Sequence, residues 1–383
     1  MLKYKILTLF LSGIIFTSLA CEKNEKVSNL PSENNNNQTE EKKTVYQWEK
    51  ERKGLLNYHD MVLLYAGGSH RSYSWDTNYI SPYVTYVDEN GKEHWLFDSF
   101  LFLEIHNGNG KTFATGYTKT PANQQDWKNL VDYYFQSDYV LGALDKAIGS
   151  AIERIGNPPN KRKIIIGLPE PIKNQKDWGS TENGIRLDFL RDKDRVSACQ
   201  WYIDYVRIKF NEMKYKNLDL AGFYWIAEEA TNTHSIIKKI GTYLNDLKYT
   251  FNWIPYFKSD GYSEWKTLGF NYAYLQPNYF FNESVPTSRL DEACQLALDY
   301  EMDMEMEFDD RVLLSTKGWG YRLRNYMEAF KKHGIWSSKR LAYYQGGTTL
   351  YNLSKSLNEE DKKLYHDFCK FVVEHPKNNP IKE

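Results

Sequence analysis

The sequence predicts an α/β protein folded as a single (β/α)8 TIM barrel, and three observations carry that prediction. Beyond residue 45, short apolar runs alternate with longer amphipathic segments, the pattern of parallel β/α units. Eight such runs can be counted over about 330 residues, the size of an eightfold barrel. An open doubly wound sheet would place a Gly-rich phosphate turn after its first strand. The sequence there, Ala66-Gly67-Gly68-Ser69, is not G-x-G-x-x-G.

The eight predicted strands are Met61 to Ala66, Ser99 to Ile105, Lys163 to Leu168, Leu218 to Ile226, Asn252 to Phe257, Tyr272 to Leu275, Asp303 to Glu307 and Leu341 to Gln345. Helical periodicity falls between them at Asp126 to Ile155, Arg195 to Met213, Thr233 to Leu247, Ser288 to Tyr300, Gly318 to His333 and Asn358 to Val373. The connection Gly261 to Leu268 has room only for a short helix, and Gly67 to Asp98 reads as a loop with a hairpin at Asn90-Gly91. Cys199, Cys294 and Cys369 fall in helical segments without C-x-x-C spacing, so buried free thiols are expected.

The first residues form a separate unit. Lys3 and Lys5 precede an apolar run from Ile6 to Leu19, too short to span a bilayer comfortably and typical of an export signal over residues 1–20. It ends in Ser18-Leu19-Ala20-Cys21, which resembles a bacterial lipobox with Ser18 where Leu is usual, so Cys21 is the expected lipidation site. Residues 21–44 are rich in Asn, Glu, Lys and Ser and hold too few apolar groups to offset the entropy of ordering, as expected of a flexible tether. The barrel is expected over 45–376, followed by a tail at 377–383. The expectation is a monomer held at the outer membrane or cell surface, touching the membrane only through lipid on Cys21.

Charge narrows the chemistry. Lys+Arg 49 against Asp+Glu 50 gives a net charge of -1, which leaves no broad basic field for nucleic acid. Eight His residues are scattered without H-E-x-x-H or other ligand spacing, so no metal site and no cofactor are expected; Asp309-Asp310 reads as a solvated pair. No G-x-S-x-G elbow is present. Aromatic residues are abundant, with 11 Trp, 30 Tyr and 19 Phe making 16% of the chain, and part of that surface is expected to face ligand.

In a barrel the chemistry sits at the carboxyl ends of the strands. There the sequence places Glu104 and His106 after strand two, Glu170 after strand three, Glu228 and Glu229 after strand four, Gln276, Asn278 and Tyr279 after strand six, and Tyr344 in strand eight. In Met304-Glu305-Met306-Glu307-Phe308 the period is two, so Glu305 and Glu307 share one face and must point inward. Glu307, at the rim, is the catalytic candidate. Glu305 is either a second candidate or a partner for an interior Arg or Tyr. Strand four leaves two phases open: Glu228 faces the pocket if Gly222, Tyr224 and Ile226 line the interior, and Glu229 does if Phe223, Trp225 and Ala227 line it. Carboxylates after strands four and seven lie across the mouth, the arrangement glycoside hydrolysis needs. Trp225, Tyr256, Tyr279, Tyr344 and Trp75 are candidates for stacking on sugar faces, and His70 and His106 for substrate contact.

Four segments carry a family resemblance: Phe97 to Leu103, Leu220 to Trp225 followed by Glu228, Gln276-Pro277-Asn278-Tyr279, and Met304-Glu305-Met306-Glu307. Through them the body, from Leu56 to Cys369, resembles the bacterial family named domain of unknown function 4855, found among secreted and surface proteins. The resemblance implies a barrel similar to those of glycoside hydrolases. Retaining enzymes of the large barrel clan are similar in placing glutamates after strands four and seven, which implies Glu228 and Glu307. That clan has Asn before its strand-four glutamate, where this chain has Ala227. The aspartates of chitinase-like barrels are replaced by Gly222, Tyr224 and Ile226, which disfavours a substrate-assisted mechanism. The expected function is therefore hydrolysis of an oligo- or polysaccharide. A glycan-binding protein on a degenerate barrel and a polysaccharide lyase are the alternatives.

Overall fold

A computed structural model describes residues 58–181 and 183–377. The predicted export signal, Cys21, the tether and residues 378–383 of the tail lie outside the described residues.

Eight parallel strands close on themselves: β1 Asp60–Tyr65, β2 Ser99–Leu103, β3 Arg162–Leu168, β4 Leu218–Trp225, β5 Thr250–Trp253, β6 Tyr272–Leu275, β7 Asp303–Glu307 and β8 Leu341–Tyr344. Each pairs with its neighbours in sequence, and β1 closes the ring against β8 through Asp60, Met61 and Val62 opposite Leu341, Ala342 and Tyr343. The chain is thus a (β/α)8 barrel. Strands such as β3, with sequence RKIIIGL, are buried along their whole length, because one face meets the barrel interior and the other the helical layer.

The helices are α1 Thr77–Val84, α2 Gln124–Tyr134, α3 Val140–Ile155, α4 Asp192–Met213, α5 His234–Asp246, α6 Ser288–Asp299, α7 Gly320–Lys332, α8 Ile335–Ser338, α9 Thr349–Lys355 and α10 Glu359–Val373. They bury apolar stripes against the strands: α3 seats Leu144, Ala147, Ile148 and Ala151, and α5 seats Ile236, Ile237, Ile240 and Leu244. Cys199, Cys294 and Cys369 are buried free thiols on α4, α6 and α10.

Three connections differ from expectation. The helix expected over Asp126 to Ile155 is two helices, broken where Val140 takes a left-handed φ of 47° and donates its N–H to the Trp75 carbonyl at 2.8 Å. The first connection contains α1 as well as the expected hairpin, which pairs Thr85–Val87 with Glu93–Trp95. Pro82 inside α1 hides it from periodicity, but Asp76 caps its start by accepting from the Tyr79 N–H at 2.9 Å. Between β5 and β6 only a 3-10 turn, Tyr262–Glu264, forms in place of the short helix.

The amino end of the barrel is a polar floor. Buried Asp60 accepts from the Tyr343 hydroxyl at 2.7 Å, lies 2.8 Å from His375 Nδ1 and pairs with Lys377, so the chain after α10 is tied to the first strand. The opposite, carboxyl end is where the strands open into a cavity.

Candidate active site

Strand β7 decides the cavity's chemistry. Met304 and Met306 pack outward, so Glu305 and Glu307 point into the barrel, 2% and 1% exposed. On β4 and its extension, Tyr224 and Ile226 line the same cavity, while Trp225 turns outward to meet Phe251 edge-on. That phase carries Glu228 into the cavity. Glu229 turns away and accepts from the Tyr256 hydroxyl at 2.7 Å.

The result is a cavity of about 260 Å³ onto which Glu228, Glu305 and Glu307 open together. Two amides after β6 join the carboxylates. Gln276 Nε2 donates to Glu228 Oε1 at 3.1 Å and to the Ile254 carbonyl at 3.0 Å. Asn278 donates its backbone N–H to Glu307 Oε2 at 2.7 Å, and its side-chain amide lies between Gln276 Oε1 (3.3 Å) and Glu307 Oε1 (3.4 Å). Asn278 holds a left-handed φ of 50°, a conformation Asn tolerates better than most residues. It is held there in part by the Phe257 N–H donating to Asn278 Oδ1 at 2.9 Å. Tyr326, from α7, donates its hydroxyl to Glu307 Oε2 at 2.7 Å.

Burial raises the proton affinity of all three carboxyls, and a neighbouring carboxylate adds to each rise. Glu305 is pushed well above the usual carboxylate range by burial, then by Glu307 and Glu228. Burial lifts Glu307 to about 7, against the opposing pull of the Tyr326 and Asn278 donors. Glu228 is also raised by burial, with the Gln276 amide acting against it. Of the three, Glu307 has the strongest hydrogen-bond support for its charged form, from the Tyr326 hydroxyl and the Asn278 N–H.

Of the other residues singled out in the sequence, Tyr344 lines the cavity beside Tyr65. Glu104 is buried in a bidentate pair with Arg71, at 2.6 and 2.8 Å. Glu170 accepts from the Thr115 N–H and hydroxyl at 2.7 and 2.8 Å, and burial raises its pKa. His70 and His106 meet edge-on at 5.9 Å, and His106 also meets Tyr117. Tyr279 is buried beneath Arg322 and accepts from Asn325 Nδ2 at 2.7 Å. Trp75 is buried, donating to the Tyr65 carbonyl. None of these except Tyr344 is among the cavity's lining residues. Tyr65, Tyr117 and Phe281, which sequence reasoning passed over, are. Tyr65 ends a strand and was open to the same reasoning as Tyr344; Tyr117 and Phe281 come from loops with no pattern to place them.

A second hollow, about 350 Å³, shares Tyr65 and Tyr344 with the first and extends to Arg71, Asp309, Asp310 and Arg311. Asp309 pairs with Arg311, and Asp310 accepts from Thr349 and Asn352. Among the described residues no group of three or more His, Cys, Asp or Glu side chains is arranged to hold a metal ion.

Over residues 60–370 the sequence matches the family described as Domain of unknown function (DUF4855). The chain belongs to this family. No curated protein matches it in sequence. Among solved structures it is similar to the endo-β-1,4-mannanase from Thermotoga petrophila, with 11% identity and a TM-score of 0.44 over 85% of this chain and 78% of that one. A family 18 chitinase from Crocus vernus gives 11% and 0.40 over 79% and 98%. The carboxyl transferase domain of pyruvate carboxylase from Rhizobium etli gives 7% and 0.38 over 93% and 55%. At these scores the likenesses carry no chemical argument, so function has to be argued from the site. In this DUF4855 barrel the segments behind the resemblance lie on β2, on β4, after β6 and on β7, and each brings at least one residue to the cavity.

Proposed function

We infer that this DUF4855 protein is a glycoside hydrolase working through Glu228 and Glu307. The observation that carries the reading is the convergence of carboxylates from β4 and β7 on one cavity, with different hydrogen-bond support. Burial favours the protonated form of Glu228, which is the general acid. It protonates the glycosidic oxygen as the bond from that oxygen to the anomeric carbon breaks. Glu307, whose anion the Tyr326 and Asn278 donors stabilise, either attacks the anomeric carbon or draws a proton from an attacking water. Either route adds one water across the bond. Tyr65, Tyr117, Tyr344 and Phe281 supply apolar faces that suit a saccharide ring and keep water out.

The test is Glu228→Gln and Glu307→Gln, made singly and assayed against a glycan panel with chromatographic product detection. Each is expected to lower turnover by about 100-fold or more while sparing glycan affinity. Undiminished hydrolysis in both would refute the assignment, and binding without turnover in the unaltered protein would make it a glycan-binding barrel. The anomer released first, read by NMR, separates attack by Glu307 from attack by water.

Surface anchoring belongs to the same reading and rests on Ser18-Leu19-Ala20-Cys21 and the polar stretch after it. Among the described residues no helix is long and apolar enough to cross a membrane. Cys21→Ser is expected to shift the protein from the membrane fraction to the soluble fraction.

A further inference from the structure

The cavity is one-sided in charge. Three carboxyls open onto it, and no Lys, Arg or His is among its lining residues. Two of the carboxyls have donors: Glu228 has Gln276, and Glu307 has Tyr326 and Asn278. Glu305, aimed into the same space and 2% exposed, has an Oε1 with no hydrogen-bond partner. Two guanidinium groups at this end of the barrel are committed elsewhere. Arg322 donates to the carbonyls of Tyr279, Asn282 and Val285, and Arg71 is clamped on Glu104. Nor do the carboxyls form a metal cage, since no group of three acidic or imidazole ligands among the described residues has that arrangement.

A buried carboxyl without a partner destabilises the fold, and the two-carboxyl chemistry above makes no use of this one. A ligand group that both donates hydrogen bonds and carries positive charge would satisfy Glu305 and offset its repulsion with Glu307. A sugar hydroxyl does only the first. We propose that Glu305 is a specificity-determining residue that binds the free ammonium group of an amino sugar, so that the substrate is a glycan containing de-N-acetylated hexosamine.

The inference rests on the hydrolase reading of the same cavity and names its substrate class. Burial, Glu307 and Glu228 all favour the protonated form of Glu305 in the empty site. When the ammonium group docks, that proton leaves for solvent and a charge-assisted hydrogen bond replaces it, about twice as strong as a neutral one. N-acetylation removes the charge and adds bulk to a cavity of only about 260 Å³.

The experiment is calorimetric titration of the full chain and of Glu305→Gln with tetramers of glucosamine and galactosamine, in both anomeric linkages. Their N-acetylated counterparts and the matching neutral hexose tetramers complete the panel. The unaltered protein is expected to bind a free-amine tetramer at least about tenfold tighter than its N-acetylated and neutral counterparts, and Glu305→Gln to abolish that preference. Thermal unfolding of the variant checks its fold. The preference measured on the unaltered protein stands as a test without the variant.

Equal or weaker binding of the amine overturns the inference, as does an amine preference that survives in Glu305→Gln. Hydrolysis of neutral glycans without amine preference removes this inference and leaves the hydrolase. Amine-selective binding without turnover does the reverse. Binding of no saccharide overturns both.

Discussion

Tyr326 makes the charge state of Glu307 testable at the level of one hydroxyl. It is buried on α7, meets Tyr279 edge-on at 5.6 Å and donates to Glu307 Oε2 at 2.7 Å. A donor to the ionised form lowers a carboxyl's pKa, so removing it must raise Glu307 from about 7. In Tyr326→Phe, which keeps the ring packing, the acid limb of the pH–rate profile is expected to move upward. Turnover at pH 6 to 7 should fall about 10- to 100-fold and recover toward alkaline pH, following the worth of a hydrogen bond to a charged group. An unmoved acid limb would remove Glu307 as the group that must ionise. At this scale the sequence was legible where a period was unbroken. The alternation through Met304, Glu305, Met306 and Glu307 by itself places both glutamates inside. Trp225 misleads for the same reason in reverse: it sits next to lining residues in sequence but faces the helices.

Along β4 the phase was unreadable because the strand does not keep a strict period of two. Its pairing with β3 runs Ile164 to Leu220 and then Ile165 to Gly222, so Ala221 is an extra residue. A bulge of this kind shifts every later side chain to the other face, and in the all-apolar stretch LAGFYWIA nothing in composition marks it. Gly222 beyond the bulge lets Thr250 of β5 close in, since a Cβ there would fall 1.7 Å from Thr250 Oγ1. Thr250 accordingly donates its hydroxyl to the Ala221 carbonyl at 3.1 Å. Asn278 after β6 reaches the site by a comparable irregularity, its own left-handed turn. Strand number and order were legible because apolar runs and amphipathic segments alternate cleanly. The α2/α3 break, α1 and α9 were not, since tertiary contacts and a proline decide them.

Across the whole molecule, the aromatic surplus is mostly core and only partly ligand surface. Trp75, Trp127, Trp178, Trp225 and Trp253 are all fully buried, and composition alone does not separate a packed indole from a stacking platform. What the fold does hold in reserve is an acidic cavity at a cost to its own stability. The folded-state pKa of Glu305 is raised above its unfolded value, so folding retains a proton that the unfolded chain releases. Stability tied to this group is fully present below about pH 4, the ordinary carboxyl range, and is lost as pH rises through the folded-state value. Glu305→Gln keeps the shape and removes the titration. The variant is therefore expected to match the unaltered protein in thermal unfolding near pH 4 and to exceed it at pH 8 by about 1–3 kcal/mol, a melting temperature a few degrees higher. A destabilised variant at pH 8 would mean that Glu305 carries a structural bond in the free protein. Such a gain, combined with loss of ligand discrimination, is the trade expected when a residue is kept for its chemistry and not for packing.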